Sequence, residues 1–105
     1  TAYSKIREIM NAEIVYISTI SEIELLSFSK LTPKDREEIK NVVSAMLVIP
    51  VDSRVSALAA DIKRNFKMKL ADSIIAATAL FTQTTLLTRN VSDFKKIPNL
   101  KLLKI

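Results

Sequence analysis

The chain has 105 residues and a formal net charge of +5, with 49% hydrophobic and 26% charged residues, the balance of one folded domain spanning residues 1–105. It contains no cysteine, histidine or glycine, which excludes disulfides, zinc–thiolate sites, histidine catalysis and glycine-rich phosphate cradles. The positive surplus favours an anionic partner such as RNA or DNA, the lack of cysteine favours an intracellular, cytoplasmic setting, and no apolar run approaches the roughly 20 residues of a membrane span.

In chain order, Thr1 to Asn11 reads as a helix with Ile6, Ile9 and Met10 on one side and Lys5, Arg7 and Glu8 outside. Ile14 to Ile17 is a β-branched and aromatic run, the pattern of a buried strand. Thr19 and Glu22 have capping-box spacing and start a helix through about Ser29. Thr32-Pro33 is a second start signal, an N-cap followed by proline in the first turn. That helix carries Ile39, Val42, Val43 and Met46 inward, with Lys34, Asp35, Arg36, Glu37, Glu38 and Lys40 mostly solvated. Leu47 to Val51 is the next strand, with Pro50 near its end.

Asp52 or Ser53 caps a helix whose apolar face is Val55, Leu58, Ala59, Ile62 and Phe66. Lys63, Arg64, Lys67 and Lys69 make its end and the following loop strongly basic. Asp72 opens a helix that is apolar nearly all round, and therefore buried. Thr85 to Thr88 is a strand, Asn90 to Phe94 a turn, and Leu100 to Ile105 a last short strand. Helices that alternate with short, unalternating apolar strands predict an α/β fold with a parallel sheet covered on both faces.

In such sheets, ligands bind beyond the carboxyl ends of the strands, where the following helices begin. Glu24, Asp72, Asn90 and Asp93 are all expected at that edge. Three acids and an amide, with no histidine, suit an oxygen-liganded hard cation such as Mg²⁺ or Mn²⁺. Each acid also has an ordinary reading. Asp72 is a helix N-cap, Asp93 caps the turn at Asn90 by Asx chemistry, and Glu24 is a solvated helix glutamate. Lys63 to Lys69 is then a solvated face, and Ser18, Ser21 and Thr88 are strand-end and cap hydroxyls.

The stretches "YISTISEIELLSF", "KLADSIIAATAL" and "LLTRNVSDFKKIPNLKLL" together resemble the PIN domain of VapC-type toxins, in order and over nearly the whole chain. That family's pattern is a strand leading into Ser-x-Ile-Thr/Ser and Glu-Leu, then an Asp-x-x-Ile-Ala-Ala-Thr-Ala helix, and last Thr-x-Asn-x-x-Asp-Phe. The resemblance implies a three-layer α/β/α fold with a short parallel sheet. It also implies a metal-dependent endoribonuclease, the toxin of a type II toxin–antitoxin pair. Carried over position by position, the family's acidic site falls on Glu24, Asp72 and Asp93, with Asn90 beside them and Thr88 as the nearby hydroxyl.

The implied partners are RNA, guided by Lys63, Arg64, Lys67, Lys69 and Arg89, a cognate antitoxin protein, and a second copy of the chain. Leu25, Leu26 and Phe28 suit a dimer interface as readily as a core. One departure stands out. Family members begin with a strand ending in aspartate, whereas this chain starts in what resembles the second family helix. The expectation is that roughly 20 to 25 residues precede it in the family pattern, holding one further metal ligand and a central strand. Without them, the alternative reading is a non-catalytic RNA- or protein-binding module on the same fold.

Overall fold

The structure, a computed structural model, describes residues 2–104 (side chains 5–104). The elements in order are α1 (Ala2–Met10), β1 (Tyr16–Ser18), α2 (Thr19–Leu26), α3 (Pro33–Ser44), β2 (Leu47–Ile49), α4 (Ser53–Phe66), α5 (Leu70–Thr82), β3 (Leu86–Thr88), α6 (Val91–Phe94) and β4 (Leu102–Lys104). Helices and short parallel strands alternate as the apolar pattern predicts. The expected helix start at Thr1 and strand end at Ile105 lie outside the described residues. Among the described residues no helix is long and apolar enough to cross a membrane. The chain divides into two compact units, Thr1–Pro50 and Val51–Ile105.

In the first unit, β1 pairs with β2 in parallel, with Tyr16 opposite Leu47 and Ser18 opposite Ile49. Its core joins Ile17, Ile39 and Val43, with Leu25, Leu31 and Met46 packed against them. Thr32 and Asp35 form the reciprocal cap of α3, with Pro33 in its first turn, as the Thr-Pro signal predicts. The start of α2 differs from expectation. Ser18 is the N-cap and accepts from the Ile20 N–H, while Thr19 is already helical and donates its hydroxyl to the Ile49 carbonyl. Thr19 was expected to cap with Glu22, but its hydroxyl is taken by the neighbouring strand, so the cap moves one residue back. The helix ends at Leu26, short of Ser29, and Leu26 and Phe28 stay exposed.

In the second unit, β3 pairs with β4 in parallel, Leu86 opposite Leu102 and Thr88 opposite Lys104. The helices α4 and α5 pack against each other. Val55, Ala59 and Ile62 are buried on α4, and Ser73, Ala76, Ala77, Thr78 and Ala79 on α5. The residues that face inward on α5 are small, and the larger Ile74, Ile75 and Leu80 are only half-buried. Because the chain has no glycine, the left-handed C-cap positions of α4 and α5 fall to Lys67 (φ 53) and Gln83 (φ 55). A side chain there costs more than glycine would.

Two features of the sheet depart from the sequence pattern. The strands form two separate two-stranded parallel sheets, β1–β2 and β3–β4. Leu47 and Val48 are exposed, so β2 is not covered on both faces. An unalternating apolar run gives a doubly buried strand only where a second layer lies over it. Among the described residues these two side chains have no such cover.

The cap of α4 yields a direct test. Asp52 accepts the backbone N–H groups of Arg54 (3.0 Å) and Val55 (3.1 Å) through Oδ1. The Arg54 side chain, and then the Val55 N–H, hold the Asp52 carboxyl below its ordinary value of 3.8. A carboxylate with a depressed folded pKa adds stability above its unfolded pKa and loses it as pH falls through the folded value. Asp52→Ala should therefore lower the melting temperature near neutral pH. That gap should stay constant above pH 3.8 and close below it. Equal melting curves for the two proteins at pH 7 would remove the cap from the account of α4.

Candidate functional site

The turn after β3 is built from side chains that hold one another. Thr88 closes the strand, and its Oγ1 accepts the Asn90 backbone N–H at 3.0 Å. Ser92 Oγ donates to Asn90 Oδ1 at 3.1 Å, and Asn90 Nδ2 donates to Asp93 Oδ2. Both ends of the Asn90 amide are thereby used, which fixes its rotamer and aims the Asp93 carboxylate. Asp93 sits in the four-residue α6, whose Phe94 is buried and anchors the turn. Asp93 is itself exposed, so one oxygen is held by the amide while the carboxylate still faces solvent. The Asx reading of Asp93 is not what forms, because its partner is the Asn90 side chain and not a backbone N–H.

Asp72 is the third residue of α5. The N-cap position belongs to Lys69, which makes no side-chain cap bond, so the ordinary reading of Asp72 as a cap does not hold. Asp72 is half-buried, and among the described residues its carboxylate has no hydrogen-bond or ion-pair partner. The helix N-terminus, with its free N–H groups, stabilises a negative charge in that first turn. The helix feeds β3 through the tight turn at Gln83.

Glu24 lies in the first unit, as the sixth residue of α2. It is exposed, and among the described residues its carboxylate is unpartnered, although its backbone carbonyl accepts the Ser27 hydroxyl at 3.2 Å. The oxygen-only donor chemistry of these residues suits a hard cation. Their number does not complete a site: among the described residues, no three Asp or Glu side chains stand close enough together to hold a metal ion.

The basic candidates Lys63, Arg64, Lys67, Lys69 and Arg89 are all exposed. Arg64 is already paired with Asp61 at 2.7 Å, which leaves the lysines as the better phosphate contacts. Two further groups escaped the sequence reading. Ser92 completes the hydrogen bonds around Asn90, and Lys95 and Lys96 are exposed directly after α6. Asn90 and Ser92 at i and i+2 was the available signal for the first, and a lysine pair beside Asp93 the signal for the second.

A family model for the PIN domain matches residues 1–100. A search of curated proteins gave no significant match. Among solved structures, the chain is similar to VapBC2 from Rickettsia felis bound to a DNA fragment from its promoter, at a TM-score of 0.80 and 23% identity, covering 98% of this chain and 84% of the other. It is also similar to a toxin–antitoxin complex from Klebsiella pneumoniae, with a TM-score of 0.74 and 25% identity over 92% of this chain and 80% of that one. A third match is DNA-bound VapBC from Salmonella typhimurium, with a TM-score of 0.75 and 20% identity over 99% and 85% of the two chains.

Proposed function

The chain belongs to the PIN domain family, and from that premise we propose that it is the ribonuclease toxin of a toxin–antitoxin pair, acting with Mg²⁺ or Mn²⁺ on RNA phosphodiester bonds. The single observation that supports this most is the turn at Asp93. A polar side chain with both its ends committed, placed to aim one exposed carboxylate, is more than a loop needs for folding. Asp72, half-buried and unpartnered among the described residues at a helix start, is the second acid proposed for the site. Glu24, on α2, is the third acid that the family pattern assigns to the proposed set. A hard cation bound by such a set would activate water and neutralise charge on the phosphate oxygens.

The chain's own residues carry the remaining roles in this proposal. Asn90 orients Asp93, and Thr88 and Ser92 hold Asn90. Lys63, Lys67, Lys69 and Arg89 attract the RNA backbone. The antitoxin and a second copy of the chain are the proposed protein partners, with the exposed Leu26 and Phe28 available to either. The test is cleavage of a single-stranded RNA by the full-length protein with Mn²⁺, with and without EDTA. Cutting that EDTA abolishes supports the reading, and binding without cutting in either condition transfers it to the rival.

That rival, a non-catalytic RNA- or protein-binding module, has one observation in its favour: no three acids cluster among the described residues.

A prediction on the basic stretch serves both readings. Lys63→Ala with Lys69→Ala removes two exposed charges and leaves the Lys67 cap and the Arg64–Asp61 pair intact. If both lysines contact phosphates, the slope of log affinity against log salt for single-stranded RNA should flatten by about 1.4, from about 0.7 per contact. An unchanged slope in a filter-binding titration would return these lysines to a solvated face.

A further inference from the structure

The positive surplus is confined to one part of the chain. Val51–Ile105 holds 10 of the 16 Lys and Arg and 4 of the 11 Asp and Glu, a net of +6, whereas Thr1–Pro50 carries −1. Within the basic unit, one cation is held in an unusual way. The Arg54 guanidinium lies over the Phe81 ring, 4.9 Å from its centroid. Its Nε (3.2 Å) and Nη2 (2.8 Å) both donate to Asp52 Oδ2, which sets the plane of the group. Asp52 is in turn fixed by capping the backbone of α4. Even so, the Arg54 side chain is 73% exposed. The cation therefore lies over an aromatic ring, its edge is clamped by a carboxylate, and most of the side chain is open to water.

We propose that the Arg54–Phe81 pair is a stacking platform for an unpaired base of single-stranded RNA, at the far end of α5 from Asp72. The proposal rests on the ribonuclease reading and adds to it a contact that selects single strands. Phe81 is nine residues from Asp72 on one helix, about 14 Å at 1.5 Å per residue. A short single strand reaches that far, since its binding sites span about 4 nucleotides or more. A guanidinium plane is a surface on which bases stack, and every base has a face to offer, so the contact is tolerant of sequence. A base inside a duplex is already stacked on both sides and gains nothing from the platform. The plane also arrives preorganised, so binding need not order a long, free arginine.

The bland account of the same geometry is that Arg54 merely shields an exposed ring. The two separate by experiment on the full-length protein, in EDTA so that no cutting occurs, with a fluorescent single-stranded RNA 12-mer and a duplex of the same sequence. Arg54→Lys keeps the charge and removes the plane, and Phe81→Leu keeps apolar bulk and removes the ring. Each should weaken single-strand binding by about 5-fold or more, the lower end of what one stacked base contributes, with the salt slope unchanged. Duplex binding should stay within about 2-fold. If the wild type binds single strands and both variants bind them equally well, the platform is overturned and the ribonuclease reading stands. Equal losses on single strand and duplex overturn it too, because they report a phosphate contact. If the wild type binds no RNA, both readings fall.

Discussion

Asp93→Asn in the full-length protein should reduce Mn²⁺-dependent RNA cleavage by at least about 100-fold, the scale on which disturbing a metal site is felt. The exchange preserves shape and removes one negative charge from the exposed end of the Asn90–Asp93 pair. It also replaces an oxygen that accepts from Asn90 Nδ2 by an amide that can rotate to present either atom, so the turn can keep its hydrogen bond. Lost activity would then report on charge at the site and not on the fold. Asp72→Asn should act in the same direction, since its carboxylate has no other partner among the described residues. Asn90→Ala is the informative third variant. It leaves both charges and frees the Asp93 side chain, so it should cost less than Asp93→Asn. Full activity in Asp93→Asn with normal EDTA sensitivity would exclude Asp93 from the mechanism.

The parts legible in the sequence were those governed by local chemistry. Thr32-Pro33 and Asp52-Ser53 announced two helix starts; Thr32 caps the first and, of the second pair, Asp52 does, in both cases because the partners lie within three residues. The inward faces of α3 and α4 followed from spacing alone, down to Ile39, Val42, Val55, Ala59 and Ile62. What failed depended on a partner distant in sequence. Thr19 had the right neighbours for a capping box, yet its hydroxyl bonds a carbonyl 30 residues away. Leu47 and Val48 had the composition of a buried strand but lie exposed, which no window of sequence can reveal. The same holds at the site. The hydrogen bonds joining Thr88, Asn90 and Asp93 span only a few residues, whereas Arg54 and Phe81 are 27 residues apart and carried no signal.

The helix that carries Asp72 is also where a substitution should damage the fold most. Ser73, Ala76 and Ala77 are fully buried on α5, and Val55 on α4 is equally enclosed. Ala77→Leu adds three carbon atoms where no surface is left to receive them. Overpacking of this kind costs about 1–3 kcal/mol, because neighbours leave their rotamers or the helix shifts. At about 4–8 °C per kcal/mol for a chain near this size, the melting temperature should fall by roughly 10 °C. A shifted α5 also displaces Asp72, five residues earlier on the same helix, so RNA cleavage at a temperature well below melting should drop together with stability. Lys63→Ala, an exposed change on α4, is the control and should move the melting temperature by no more than a degree or two. An Ala77→Leu protein that melts with the wild type would mean that this face of α5 has room to spare, and the small residues there would need a reason other than packing.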